Sequence, residues 1–455
     1  MTRPRSRIAA RALLLISLAA LGPTACGERV ATVEGGDLGR VRLFQPSAPA
    51  TGFVFLLSDG SGWSHGFDRA AKRLRDAGMI VAGVDTAQVM RRLRSMRESC
   101  IDMRAAFETA SQMIQKGAGV GVYRLPVLAG SGEGATLALA GLWQAGPETF
   151  AGAATVNFRP RLRSRTALCA DTPPRSAPDG TGWIYTPPRS LTGWWRAAWT
   201  APPAPADALR AATLAGADIV AAAPDATPAR LLAKLVDRAG AADEQKPLML
   251  GDLAVVDLPG RPGSDTAVMI LSGDGGWRDL DRRLGGLIAD AGVPVIGIDC
   301  LRYFWSARSP ETAAADLDRL IADVAQRTGV SRIALVGFSF GADVLPAIYN
   351  RLGPDTRNRV VLLSLLAPGR DAHFEIHLEG WLGGSAEEGA TPLAPEFGRI
   401  DTRLVQCIYG EEETDDSGCL DARLQTAQVV RMSGGHHFDE DYPALAQRIL
   451  QRLRH

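Results

Sequence analysis

The sequence predicts an α/β protein built from two tandem domains, each with a mostly parallel sheet covered by helices on both faces. Three observations carry this. Short, near-continuous Val/Ile/Leu runs alternate with amphipathic helical patterns, as strands buried on both faces require. The chain repeats itself at long range. One Gly-x-Ser-x-Gly stretch lies between an apolar run and a helical pattern, which is the setting of a nucleophile elbow.

The repeat can be followed element by element. Arg40–Pro46 lines up with Leu253–Pro259. The run Phe53–Trp63, ending Ser-Asp-Gly-Ser-Gly-Trp, matches Ala267–Trp277, ending Ser-Gly-Asp-Gly-Gly-Trp. An amphipathic helix follows each, with Phe67, Ala70, Leu74 and Ala77 on one apolar face and Leu280, Leu284, Leu287 and Ala291 on the other. Each helix runs through Ala-Gly into an apolar strand that ends in aspartate, Met79–Asp85 and Val293–Asp299. Leu125–Gly134 then matches Ile333–Gly341. The expected domains are 27–245 and 246–455, divided near the polar, proline-ended stretch Gly240–Pro247. Residues 170–205, rich in Pro, Gly and Trp, read as a long excursion over the first sheet, either a lid or a surface loop.

A chain of 455 residues is too long for one core, and 46% apolar with 22% charged residues is a globular composition. Fifty basic and fifty acidic residues leave a formal net charge of +0, so no global field draws the protein to nucleic acid, and no direct nucleic-acid binding is expected. Residues 1–26 read as an export signal. Arg3, Arg5, Arg7 and Arg11 precede the apolar run Ala12–Leu21, and small residues end at Ala25. Cys26 comes next and is a candidate lipidated first residue; the alternative is simple cleavage nearby and a free periplasmic protein. Export permits disulfides. Cys407 and Cys419 flank an acidic loop and are the first expected pair, Cys100 and Cys169 the second, and Cys300 has no evident partner.

The candidate nucleophile is Ser339, in Gly337-Phe-Ser-Phe-Gly341 between the apolar run Arg332–Val336 and the helical pattern Ala342–Tyr349. The glycines let strand and helix pass closely on either side of a strained serine. An acid and a histidine are expected to follow in that chain order. After the strand-like Arg403–Tyr409 comes Gly410-Glu-Glu-Glu-Thr-Asp-Asp416; spacing selects Glu413, with Asp415 and Asp416 as rivals. After Val429–Ser433 come Gly434-Gly435-His436-His437, where His436 is the expected base and His437 its rival. The oxyanion donors expected are the backbone N–H groups of Phe340 and of Asp274, in the Gly-rich loop Ser272–Gly276. Arg302 and Arg308, among the aromatics of 302–308, stand at the sheet edge where such folds bind ligands and suit a phosphate. His373 and His377 alternate on an expected strand 372–378 with no third ligand, so no metal or other cofactor is expected. In the first half, Gly132 falls opposite Ser339 and Ser131 lies one position early. The reading is two tandem α/β-hydrolase-like domains, the N-terminal one degenerate.

The motifs Ser272-Gly-Asp-Gly-Gly-Trp277, Asp299 with Arg302-Tyr-Phe-Trp305, Gly337–Asp343 and Gly435-His-His-Phe438 resemble the bacterial virulence protein family VirJ, and the extra first half resembles its longer AcvB branch. That resemblance implies a periplasmic hydrolase acting on aminoacyl-phosphatidylglycerol, chiefly the lysyl form, at the membrane surface. It also implies a link to type IV secretion and DNA transfer, with secretion-system proteins as partners. Ser339 carries over as nucleophile and His436 as base. The competing expectations are a serine esterase on another lipid or small ester, and a non-catalytic periplasmic factor assisting secretion.

Overall fold

The computed structural model describes residues 30–454 apart from 97, 171–172, 202–203, 224, 243–247, 251–252 and 378–388. The export signal, Cys26 and most of the expected domain break lie outside the described residues.

The chain forms two eight-stranded sheets. The first uses Ala31–Glu34, Arg40–Phe44, Gly52–Leu57, Met79–Val84, Pro126–Ser131, Gly152–Val156, Trp194–Ala198 and Asp218–Ile219. The second uses Leu248–Leu250, Leu253–Leu258, Thr266–Leu271, Val295–Ile298, Arg332–Phe338, Val360–Leu366, Val405–Gly410 and Gln428–Met432. With each sheet's strands counted along the chain, both run one-two-four-three-five-six-seven-eight across the sheet. In both, the first two strands pair antiparallel and the other six run parallel to one another. Apolar side chains are buried on both faces of each sheet, which is why the strands read as continuous Val/Ile/Leu runs.

One sequence detail of the repeat has a direct packing cause. Each strand ending in aspartate carries a mid-strand glycine, Gly83 or Gly297. A Cβ there would enter the ring of Trp63 or Trp277 respectively, so glycine makes room for the tryptophan that ends the preceding motif.

Two expectations are corrected. Residues 170–205 contain no simple excursion: Trp194–Ala198 is a parallel strand of the main sheet, between Gly152–Val156 and Asp218–Ile219. Its Trp195 ring is buried and its Nε1 donates to Thr155 Oγ1 at 2.8 Å, so tryptophan fills the place a branched aliphatic takes elsewhere. The short strands Arg161–Leu162, Arg175–Ser176 and Trp183–Ile184 form a separate three-stranded sheet. The strand expected over 372–378 is only Asp371–Ala372, paired with Thr391–Pro392. Beyond it, backbone bonding goes to the aromatic loop instead: Arg308 N donates to Phe374 O at 2.9 Å and Ile376 N to Phe304 O at 2.8 Å.

Candidate active site

Ser339 stands between the strand Arg332–Phe338 and the helix Phe340–Tyr349, with φ 51° and ψ −118°. A non-glycine residue at positive φ is strained, and such strain is held only where the surroundings fix it. Here Ser339 N donates to Leu366 O at 2.9 Å, and the helix crosses so close to the Thr266–Leu271 strand that a Cβ on Gly341 would run into Leu271 O. The first half has the same turn. Gly132 takes φ 57° and ψ −120°, its N donates to Val156 O at 3.0 Å, and a Cβ on Gly134 would run into Ser58 O. The elbow persists there without a side chain to do chemistry.

Glu413 ends a 3-10 turn, Glu411–Glu413, that starts as soon as the Val405–Gly410 strand stops. The Gly434–Gly435 loop packs directly against it: Glu412 N donates to Gly434 O at 3.1 Å, Gly434 takes φ 80°, and a Cβ on Gly410 would strike Gly435 O. This places His436 between the other two groups. His436 Nδ1 lies 2.7 Å from Glu413 Oε1, and His436 Nε2 lies 2.8 Å from Ser339 Oγ. With its proton on Nδ1, the imidazole donates to the carboxylate and accepts from the hydroxyl. The Phe338 ring, with its centroid 5.2 Å from that of His436, packs against it. His437 is exposed and faces Tyr442 Oη at 3.5 Å, not the serine. Asp415 and Asp416 are exposed, and Asp415 takes part through its backbone O, which accepts from Arg370 at 2.6 Å.

Phe340 opens the helix after the elbow, so no carbonyl within that helix takes its N–H. The loop Ser272–Gly276 runs past the nucleophile: a Cβ on Gly273 would lie 3.8 Å from Ser339 Cβ. Gly273 is thereby next to the serine, and Asp274 follows it in the chain. Asp343, in the first turn of the elbow helix, accepts from Gly369 N at 2.7 Å. Burial, with added repulsion from the Asp274 and Asp371 carboxylates, pushes its carboxyl up to about 8. Asp343 belongs to the Gly337–Asp343 motif, and nothing in its spacing marks it as a buried carboxyl.

The two arginines separate. Arg308 is committed to packing: Nε donates to Tyr303 O at 2.7 Å, the guanidinium lies 4.3 Å from the Tyr303 ring centre, and Asp316 is 3.9 Å away. Its expected substrate role is corrected on that ground. Arg302 lies on the short helix Cys300–Tyr303, capped by Asp299, and the neighbouring Phe304 ring packs on Phe340 with centroids 5.2 Å apart. Both disulfides form, Cys100–Cys169 and Cys407–Cys419, and Cys300 is a buried thiol. Among the described residues no group of three or more His, Cys, Asp or Glu side chains is placed to hold a metal. His373 and His377 lie with ring centroids 5.2 Å apart. A cavity of about 580 Å³ lies in the first half, bordered by Arg104, Trp143, Cys169, Tyr185 and Arg189, and none of its lining residues comes from the second half.

A mostly parallel sheet in this strand order, a strained serine elbow and a His436 bridging Ser339 to a carboxylate define a protein of the α/β-hydrolase class with a Ser–His–Glu arrangement. Residues 265–455 match the family described as bacterial virulence protein (VirJ). Among solved structures the chain is similar to Est1E from Butyrivibrio proteoclasticus, at 11% identity over 45% of this chain and 96% of that one, TM-score 0.33. It is also similar to MenH from S. aureus, at 13% identity over 44% and 97%, TM-score 0.34. The Pyrococcus furiosus esterase Pf2001 is 14% identical over 44% and 91%, TM-score 0.33. No curated protein matches.

Proposed function

We propose that this protein is an exported serine hydrolase that cleaves the aminoacyl ester of aminoacyl-phosphatidylglycerol, chiefly the lysyl form, at the periplasmic membrane surface. The observation that carries the hydrolase is the single imidazole joining Ser339 Oγ at 2.8 Å to Glu413 Oε1 at 2.7 Å. The substrate rests on the VirJ match and on the chemistry around the serine.

The steps follow from the atoms. Ser339 Oγ attacks the ester carbonyl as His436 Nε2 takes its proton, and Glu413 holds the other ring N–H. The resulting oxyanion is stabilised by the Phe340 N–H and by the Asp274 loop. The imidazolium then gives its proton to the departing glycerol oxygen, leaving an aminoacyl-serine. Water attacks that ester with His436 again as base, releasing the amino acid and restoring the serine. An aminoacyl ester is an activated ester whose ammonium draws in carboxylates, and Asp274, Asp371 and the 411–416 loop provide them. The test is two-stage. A fluorophosphonate probe is expected to label wild type and not Ser339→Ala. Purified protein is then mixed with vesicles containing lysyl-phosphatidylglycerol, and free lysine is measured. Labelling without lysine release would move the enzyme to another ester; an unlabelled wild type would favour a non-catalytic secretion factor.

A further inference from the structure

The degenerate half contacts the active half through the segment that carries Arg302. Trp305 Nε1 donates to Val120 O and Ser306 Oγ to Gly121 O, each at 2.8 Å, and the Tyr123 and Trp305 ring centroids are 4.9 Å apart. These contacts lay residues 120–123 against Trp305 and Ser306, which brings Arg124 and Arg302, on the same two segments, within reach of each other's charge. Both side chains are largely withdrawn from water, and Arg302 keeps 15% of its side-chain exposure. The Nε of each is buried with no hydrogen-bond partner. Glu148 stands 4.0 Å from Arg302, at the outer limit of an ion pair, and the buried Asp299 carboxyl also feels the Arg302 charge. Burial, then the Arg302 charge, lowers the Arg124 pKa, as expected of two cations that repel each other.

Two guanidiniums that feel each other's charge, each with a buried Nε that has no partner, are costly unless an anion joins them. Guanidinium forks match phosphoryl oxygens in geometry, and a phosphodiester has two non-bridging oxygens to share between two arginines. The place also fits. Phe304, two residues after Arg302, packs on Phe340, which follows the nucleophile. Asp299 caps the Arg302 helix and lies against Gly276 of the oxyanion loop. In aminoacyl-phosphatidylglycerol the scissile ester and the phosphate sit on one glycerol, so a phosphate site beside the serine is what that substrate requires.

We propose that Arg124 of the first half and Arg302 of the second form one phosphoryl-anion site where the two halves meet. The site seats the phosphodiester of the substrate beside Ser339, and it makes the first half, which lacks its own nucleophile, a contributor to binding. The identity of the substrate rests on the aminoacyl-phospholipid reading; the anion site itself rests on the two arginines.

The test is equilibrium binding to the full chain, in separate arms, of dihexanoyl-phosphatidylglycerol (which has no aminoacyl group to cleave) and of inorganic phosphate. Arg124→Gln and Arg302→Gln are each expected to weaken binding at least about tenfold. The double variant is expected to lose less than the product of the two, because both donors serve one anion. Arg124→Lys keeps charge and loses the fork, so a several-fold loss is expected of it even if a glutamine variant misfolds. Binding of the lipid alone assigns the site to the headgroup, and competition by phosphate assigns it to the phosphoryl group itself; both outcomes support it. No saturable binding to wild type, or equal affinities in the variants, overturns it. Fluorophosphonate labelling of the same preparations reports separately on Ser339. Absent binding to wild type, or unchanged affinity in the variants, with intact labelling therefore sinks the clamp and spares the hydrolase, whereas arginine-dependent binding by a wild type that the probe does not label does the opposite.

Discussion

At the scale of single residues, Glu413 is separated from its acidic neighbours by geometry alone. Six acidic or hydroxyl side chains occupy 411–416, and only Glu413 meets His436 Nδ1. Glu413→Gln keeps a hydrogen bond but favours the wrong tautomer, so kcat is expected to fall roughly 10³–10⁴-fold, while Asp415→Asn stays within about threefold. Steady-state kinetics on a nitrophenyl ester checks both. Asp343 makes a pH prediction. Its carboxyl is raised to about 8, against 3.8 as the ordinary value, so the folded state holds a proton the unfolded chain releases. The stability it adds is fully present below pH ~4 and is lost as pH rises through ~8. Asp343→Asn, which preserves an acceptor for Gly369 N, is expected to flatten the fall in Tm between pH 5 and pH 9, read by calorimetry. Because Asp343 feels the charge of Asp274, in the loop that runs past the serine, its ionisation adds negative charge where the oxyanion develops. The wild-type kcat/KM is therefore expected to decline above pH ~8, and the asparagine variant to hold its rate further into alkali.

At the scale of elements, the site was legible wherever chemistry depends on local order. A strand, an elbow and a helix announce Ser339 because glycine is needed on both sides of the close crossing. Gly434-Gly435 announces His436 because the loop must fold against Gly410. The loop bearing the acid was legible, but the acid on it less so, since several carboxylates of similar reach stand within one turn. Trp194–Ala198 was missed because Trp and Arg replace the aliphatic run that marks a buried strand, and its place in the sheet is settled by Gly152, whose missing Cβ leaves room for Trp194. Arg308 misled because its partners, Tyr303 O and Asp316, are set by how the aromatic loop closes and not by spacing. The Cys407–Cys419 bridge encloses Glu413 in a loop with a sequence separation of 12. Its loss is expected to cost about 3 kcal/mol by loop entropy. The Cys407→Ala/Cys419→Ala pair is therefore expected to lower Tm, and kcat as well, because the released loop must be re-ordered before it can hold His436. A lower Tm with an unchanged kcat would mean that the Glu412–Gly434 backbone bond suffices to hold the acid.

At the scale of the whole molecule, two copies of one strand order meet, and the contact between them is specific. Arg278 of the second half pairs with Glu108 of the first, and Lys116 reaches both Trp305 O and, at 2.9 Å, Glu375. Tyr123, from the first half, is counted with the core of the second, where Trp305 is 0% exposed. The repeat was readable in the sequence; this contact was not, because each partner is an ordinary residue in its own half and acquires meaning only when the halves meet. If the first half serves the second by covering Trp305, the two rings must be energetically coupled. Trp305→Ala is expected to cost about 3–5 kcal/mol as a buried aromatic truncation. Tyr123→Ala is expected to cost less, and the double variant to fall short of the sum by about 0.5–1.5 kcal/mol, the coupling of a packed aromatic pair. Denaturant unfolding of the four proteins measures that term. A residues 246–455 fragment, which leaves the tryptophan uncovered, is expected to melt earlier than the full chain or to aggregate. Strict additivity together with a fragment as stable as the full chain would mean that the first half merely adjoins the second, and its part in catalysis would then rest on Arg124 alone.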